Sequence, residues 1–100
     1  MELLHSSWLE IEDYLKFSNG IIIPTGSIEQ HGPIGLIGTD TLCANDIATE
    51  AGMKINALVA PALAYAPAEF NMAFAGTASI STSVYRDFCV EVFRSFERHV

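Results

Sequence analysis

Residues 21–61 read IIIPTGSIEQHGPIGLIGTDTLCANDIATEAGMKINALVAP, and the order of patterns along this stretch decides the fold. It opens on Ile21, Ile22 and Ile23, three β-branched residues stopped by Pro24. Such a run predicts a short strand buried on both faces, as in a parallel sheet. Residues 25–39 follow as a loop, because glycines at 26, 32, 35 and 38 interrupt any regular structure. A helix is then predicted over 41–51, with Ala44, Ile47, Ala48 and Ala51 as its buried stripe and Gly52 as its stop. Residues 57–60, Ala-Leu-Val-Ala before Pro61, form a second buried strand. Strand, helix and strand in that order make a right-handed βαβ unit, so the chain is α/β, with a parallel sheet covered by helices.

The flanking segments agree with this class. Upstream, a helix is predicted over 8–17, introduced by Ser7 with Glu10 three residues later in capping-box spacing. Trp8, Ile11 and Leu15 recur along it at helical intervals, and Ser18-Asn19-Gly20 ends it. Downstream, residues 61–75 carry two prolines and read as a long, shaped loop, and 76–81 read as a third strand or a strand-like link. The strongest helical pattern covers 83–99, with Val84, Phe88, Val92 and Phe96 on one face and Tyr85, Cys89 and Phe93 widening the stripe, all expected in the core. By alternation a further strand is due at Val100, so residues 1–100 read as the first part of one longer α/β domain.

Composition narrows the function. Five Lys plus Arg against twelve Asp plus Glu give a net charge of −7, which argues against nucleic acid, since phosphate binding needs clustered cations. Half the residues are apolar and only 17% are charged, below the roughly 25% of ordinary globular chains, so cover by more chain or by other subunits is expected. Cys43 and Cys89 show no metal or disulfide spacing and are expected to be small buried hydrophobes in a reducing, cytoplasmic setting. No apolar run reaches the roughly 20 residues of a membrane span. His5 and His99, near the ends, are expected to be exposed.

Chemistry concentrates in residues 26–33, Gly-Ser-Ile-Glu-Gln-His-Gly-Pro, and in Gly38-Thr39-Asp40. In extended backbone, residues two apart point the same way, so Glu29 and His31 can face one cavity. A glycine-rich return can bring Asp40 beside them, at the carboxyl end of a parallel strand where α/β proteins place ligands. One imidazole and two carboxylates suit a divalent metal. The residues alone leave a second reading open, in which Asp40 caps the following helix, Glu29 is a solvated loop carboxylate and His31 bonds the turn.

The run PTGSIEQHGP at 24–33, with GTD at 38–40, resembles the signature of the creatininase (creatinine amidohydrolase) family. Residues 74–80, Phe-Ala-Gly-Thr-Ala-Ser-Ile, resemble the family's F-P-G-T-I-S-L segment with Ala75 in place of proline, and Trp8-Leu9-Glu10 is a similar opening. The resemblance implies a three-layer α/β/α core with a mostly parallel sheet. It also implies a two-metal hydrolase with zinc first and manganese or iron as alternatives, in which Glu29 binds one ion, His31 the other, and Asp40 bridges them. A hydroxide between the ions would then cleave a non-peptide C–N bond, a cyclic amide or a formamide, in a small-molecule substrate. Assembly as a homo-oligomer, commonly a hexamer, is implied as well.

Ile34-Gly35-Leu36 and the stretch from Ala68 to Met72 stand where many such proteins carry histidines, which argues against creatinine itself as substrate. The family's remaining ligands, a His and a Glu from its second half, are not found in residues 1–100, so weak metal binding and negligible turnover are expected of these residues alone. Glu69, Phe70 and Asn71 are candidates for lining a substrate mouth, and equally for packing against a neighbouring subunit. Ser27 lacks a nucleophile elbow and is expected to bond the turn. The competing class is a non-catalytic module that folds against a partner chain and keeps the loop for structure.

Overall fold

The computed structural model describes residues 1–100. Helix α1 spans Trp8–Leu15, strand β1 Ile21–Ile22, helix α2 Thr39–Ile55, strand β2 Leu58–Val59 and helix α3 Thr82–Glu97. Strands β1 and β2 pair in parallel, Ile21 opposite Leu58 and Ile22 opposite Val59, with α2 as the crossover. The βαβ unit expected from residues 21–60 is therefore present. Glu2 adds a parallel bridge to Val59 on the other side of β2, which leaves β1 with an open outer edge. Ile21, Ile22 and Ile23 are half-buried and not enclosed on both faces, and Ile21 and Ile23 line an open groove.

Helix α1 begins with the capping box: the Ser7 hydroxyl accepts from the Glu10 N–H while Glu10 Oε2 accepts from the Ser7 N–H at 2.7 Å. The residue it buries is Tyr14, whereas Trp8 of the expected stripe is exposed. The Tyr14 hydroxyl donates to Gly20 O at 2.6 Å and accepts from the Leu58 N–H at 3.1 Å, fastening α1 to the start of both strands.

Helix α2 is longer than predicted, and Gly52 does not stop it. A Cβ at Gly52 would meet Val59 Cγ2 at 2.4 Å, so this glycine is where the helix lies against β2. The helix ends at Asn56, whose left-handed backbone (φ 54°) closes the last turn. Of the expected stripe only Ala48 is buried, and Ile47 is exposed. Residues 76–81 form a link with one antiparallel bridge, Ala78 to Ile28, and no strand.

Helix α3 is capped by Ser81 and buries none of its residues. Phe88 stays 50% and Phe93 43% exposed, because no other element packs along the stripe that the sequence pattern assigned to the core. The accessible surface is 6926 Å², against roughly 5,600 Å² for a compact monomer of this mass. Apolar α3 surface contributes to the excess. An open groove of about 740 Å³ runs between α1, the free edge of β1 and the end of α3, lined by Ile11, Leu15, Ile21, Ile23, Phe93 and Phe96 among others. Cys43 is exposed and Cys89 half-buried, both as free thiols, so neither is the enclosed hydrophobe expected. His5 and His99 are exposed. No helix is long and apolar enough to cross a membrane.

Candidate metal centre

The site lies where the chain leaves β1. Pro24 O accepts from the Leu63 N–H at 2.9 Å and the Gly26 N–H donates to Leu63 O at 2.8 Å, so the loops after β1 and β2 continue side by side. Gly26 then meets the first turn of α2. A Cβ there would stand 2.5 Å from Thr41 Cα and 2.8 Å from Thr41 N, and the Thr41 hydroxyl donates to Ser27 O at 3.0 Å across this contact. Only a residue without a side chain lets the loop come so close.

The closeness brings three donor groups together. Ligand atoms of Glu29, His31 and Asp40 all lie within 4.8 Å of one another, and His31 Nε2 is 3.2 Å from Asp40 Oδ2. The structure thus places Asp40 beside Glu29 and His31, the three residues that the sequence grouped. Asp40 does not cap α2: the N-cap is Gly38 and has no side-chain cap, while Asp40 sits in the first turn, where the helix dipole favours a carboxylate. Glu29 and Asp40 are half-buried and His31 is exposed, so the cluster is open to solvent.

These residues fit a divalent cation. Ions bound by imidazole and carboxylate sit about 2.0–2.2 Å from each donor, so donors less than 5 Å apart close on one ion with small side-chain movement. Three groups cannot complete the coordination of two ions that each take four or more ligands. The 740 Å³ groove includes none of the three and lies apart from this chemistry.

A second loop supports the first. Glu69–Asn71 forms a single 3-10 turn, and the Asn71 Nδ2 donates to Glu29 Oε2 at 2.7 Å while Asn71 Oδ1 accepts from Gln30 Nε2 at 2.9 Å. Thr77 Oγ1 accepts from the Gln30 N–H at 3.1 Å. Of the three residues expected at a substrate mouth, Asn71 is thus tied to the donor cluster, while Glu69 and Phe70 are exposed. Gln30 and Thr77 lie outside the site residues expected from the sequence. Their only sequence signal is position, Gln30 between the two donors and Thr77 inside residues 74–80. The buried Ser27 hydroxyl has no hydrogen-bond partner, contrary to its expected bond within the turn.

Residues 4–100 match the family described as creatininase, creatinine amidohydrolase. The chain belongs to the creatininase family. It is 39% identical over 88 residues to the mycofactocin precursor peptide peptidase of Mycobacterium tuberculosis, covering 78% of this chain and 35% of that protein. It is 31% identical over 88 residues to the 3-dehydro-scyllo-inosose hydrolase of Thermotoga maritima, covering 87% of this chain and 28% of that protein. The chain therefore spans about a third of the length of these curated relatives. A crystal structure of creatinine amidohydrolase superposes with a TM-score of 0.90 at 24% identity, over 98% of this chain and 40% of that one. The family's α/β fold with its parallel sheet is thus present, and two further matches are a Zn-Zn type creatininase variant (TM-score 0.89, 24% identity) and a Mn creatininase (TM-score 0.90, 23% identity), each over 98% of this chain and 40% of the other.

Proposed function

We propose that this creatininase-family chain carries the first ligands, Glu29, His31 and Asp40, of a two-cation amidohydrolase centre, as the N-terminal part of a single α/β domain. The observation that carries the reading is the meeting of one imidazole and two carboxylates within 4.8 Å at the carboxyl end of β1. The Zn-Zn and Mn forms of related structures support zinc or manganese as the ions, with iron as the third choice. Once bound, such cations polarise an amide carbonyl and acidify a water, the two requirements of hydrolysis at neutral pH.

The chain's own residues prepare the site. Asp40 offers Oδ2 toward His31, and no hydrogen bond within the chain engages its other oxygen, so one carboxylate can serve two ions. Glu29 is held by Asn71, and its backbone N–H donates to Ile37 O at 3.3 Å, which fixes the floor of the loop. The substrate in this reading is a small molecule with a non-peptide C–N bond, a cyclic amide or a formamide. A second reading, hydrolysis of a peptide amide, is favoured by the 39% identity to a peptide peptidase. Homo-oligomer formation is supported by the exposed apolar face of α3, and a cytoplasmic location by the two free thiols.

Calorimetric titration with Zn²⁺ or Mn²⁺ tests the ligand set. The wild-type chain should bind weakly, and Asp40→Ala should lose most of that affinity; equal binding by the two would refute the assignment. Amide resonances of the Zn²⁺-loaded chain should then shift with a cyclic amide and stay unmoved by a short peptide. The reverse pattern would establish the peptide reading.

A further inference from the structure

We propose that Asn71 is the positioning residue for Glu29, acting through a hydrogen-bonded relay of two amides. The relay begins at a backbone donor. The Gly32 N–H donates to Gln30 Oε1 at 2.8 Å, Gln30 Nε2 donates to Asn71 Oδ1 at 2.9 Å, and Asn71 Nδ2 donates to Glu29 Oε2 at 2.7 Å. Its direction is fixed at both ends, because the Gly32 N–H can only donate and an ionised carboxylate can only accept. Turning either amide over would set oxygen against oxygen and NH₂ against N–H. Each amide therefore has one orientation, and an N–H arrives at Glu29 at the short distance of a charge-assisted bond.

The turn that presents Asn71 is anchored from below. The Asn71 N–H donates to Ala68 O at 3.0 Å and Asn71 O accepts from the Phe74 N–H at 3.1 Å. Ala68, only 1% exposed, donates its own N–H to Ser79 Oγ at 2.8 Å. Asn71 thus stands on a fixed backbone and joins a residue 42 positions earlier in the chain.

Two consequences follow for Glu29. The bond occupies Oε2, so the carboxylate is held in one rotamer with Oε1 left for a cation. A neutral amide also orients the carboxylate without cancelling its charge, as an Arg or Lys at this place would. Both polar ends of Asn71 are engaged, Oδ1 by Gln30 and Nδ2 by Glu29, so in this reading its first role is the support of a ligand. The inference rests on the reading of Glu29 as a metal ligand.

The test uses Co²⁺, whose visible d–d absorption reports its ligand field, on the wild-type chain, Asn71→Ala, Asn71→Asp, Glu29→Ala and the Asn71→Ala/Glu29→Ala pair. Loss of an outer partner of a ligand typically weakens metal binding about 10- to 100-fold, so Asn71→Ala should lower Co²⁺ affinity by about tenfold or more and shift the d–d band. Asn71→Asp, of equal size but with an acceptor facing Glu29, should also shift the d–d band, because Glu29 no longer receives an N–H from this position. In the Glu29→Ala background, Asn71→Ala should add less than a twofold change. Wild-type affinity and spectrum in Asn71→Ala or Asn71→Asp overturns the proposal, as does an equal loss with and without Glu29. If the wild-type chain itself binds no Co²⁺, the ligand reading fails and the proposal with it. For a variant that does not fold, the wild-type chain gives the answer: the Asn71 Nδ2 proton resonances should move on adding Zn²⁺, and an unmoved pair overturns the proposal.

Discussion

Gly26→Ala tests whether the contact between loop and helix builds the site. The added Cβ would stand 2.4 Å from Thr41 Oγ1, 2.5 Å from Thr41 Cα and 2.8 Å from Thr41 N. The hydroxyl could rotate away, but Cα and N belong to the first turn of α2 and cannot. Carbon atoms pack at about 3.5 Å or more, so loop and helix must part by about 1 Å. Overpacking of this kind costs about 1–3 kcal/mol, and the bond from the Thr41 hydroxyl to Ser27 O adds about 1 kcal/mol when it is lost. Replacing glycine gains back less than about 1 kcal/mol through the unfolded chain. The steric cost wins, and a net loss of about 1–3 kcal/mol is expected in urea unfolding followed by circular dichroism. Asp40, next to Thr41, moves with the helix. Constellations of this kind need positions held within about 0.5 Å, so Zn²⁺ affinity should fall about tenfold or more by calorimetry. Gly20→Ala is the control, since its Cβ would meet only Ser18 Oγ at 3.5 Å, and stability should be unchanged or higher by about 0.5 kcal/mol. Wild-type stability and Zn²⁺ affinity in Gly26→Ala, or equal damage from Gly20→Ala, would refute the reasoning.

Tyr14→Phe removes one hydroxyl and leaves the buried Leu58 N–H without its acceptor, so urea unfolding should show a loss of about 1–3 kcal/mol; an effect below about 0.3 kcal/mol would dissociate α1 from the strand junction. The bonds from Ser7, its backbone N–H first and then its hydroxyl, hold the Glu10 carboxyl below its ordinary pKa. Its contribution is therefore present above the ordinary carboxylate value and is lost as pH falls through the lowered one. Glu10→Gln should accordingly be less stable than wild type at neutral pH and equal to it in strong acid, as measured by denaturation at both. Phe88→Ser with Phe93→Ser removes apolar surface that is already half exposed, and should lower the mass read by light scattering if α3 joins copies of the chain, while an unchanged mass argues against that interface.

Local features were legible in the sequence, and features set by distant chain were not. The Ser7 and Glu10 box involves residues three apart and forms as read. The strand at Ile21 was readable from β-branching, but its burial depends on what covers the faces of the sheet, and Ile21 and Ile23 line an open groove. Gly52 shows how one residue type can serve two roles: read locally it stops a helix, whereas in three dimensions it admits Val59, and the stop passes to Asn56. The periodicity of α3 was correct as a helix and gave no information about what faces it. At the site, Glu29, His31 and Asp40 lie within twelve residues, close enough for alternation and glycine spacing to join them. The bonds from Asn71 and Thr77 to Glu29 and Gln30 span 41 to 47 positions, and no periodicity reports such a pairing.

What joins the loops of the site follows from where the buried residues are. Leu58, Val59 and Ala60 lead from β2 to Ala66, Ala68 and Thr77, and Ser27 lies on the loop opposite. Most of these side chains are small, so they bury little area and let backbones approach. Apolar burial is then a weak source of order near the donors, and cross-loop hydrogen bonds take its place. The Ala78 N–H donates to Ile28 O at 2.8 Å and the Glu29 N–H donates to Ile37 O, while the side chains of Thr77, Thr41 and Asn71 close the remaining gaps. None of these bonds involves α3. The donor cluster should therefore keep its geometry whether the apolar face of α3 is covered or bare, and substitutions along that face should alter association and leave metal affinity unchanged.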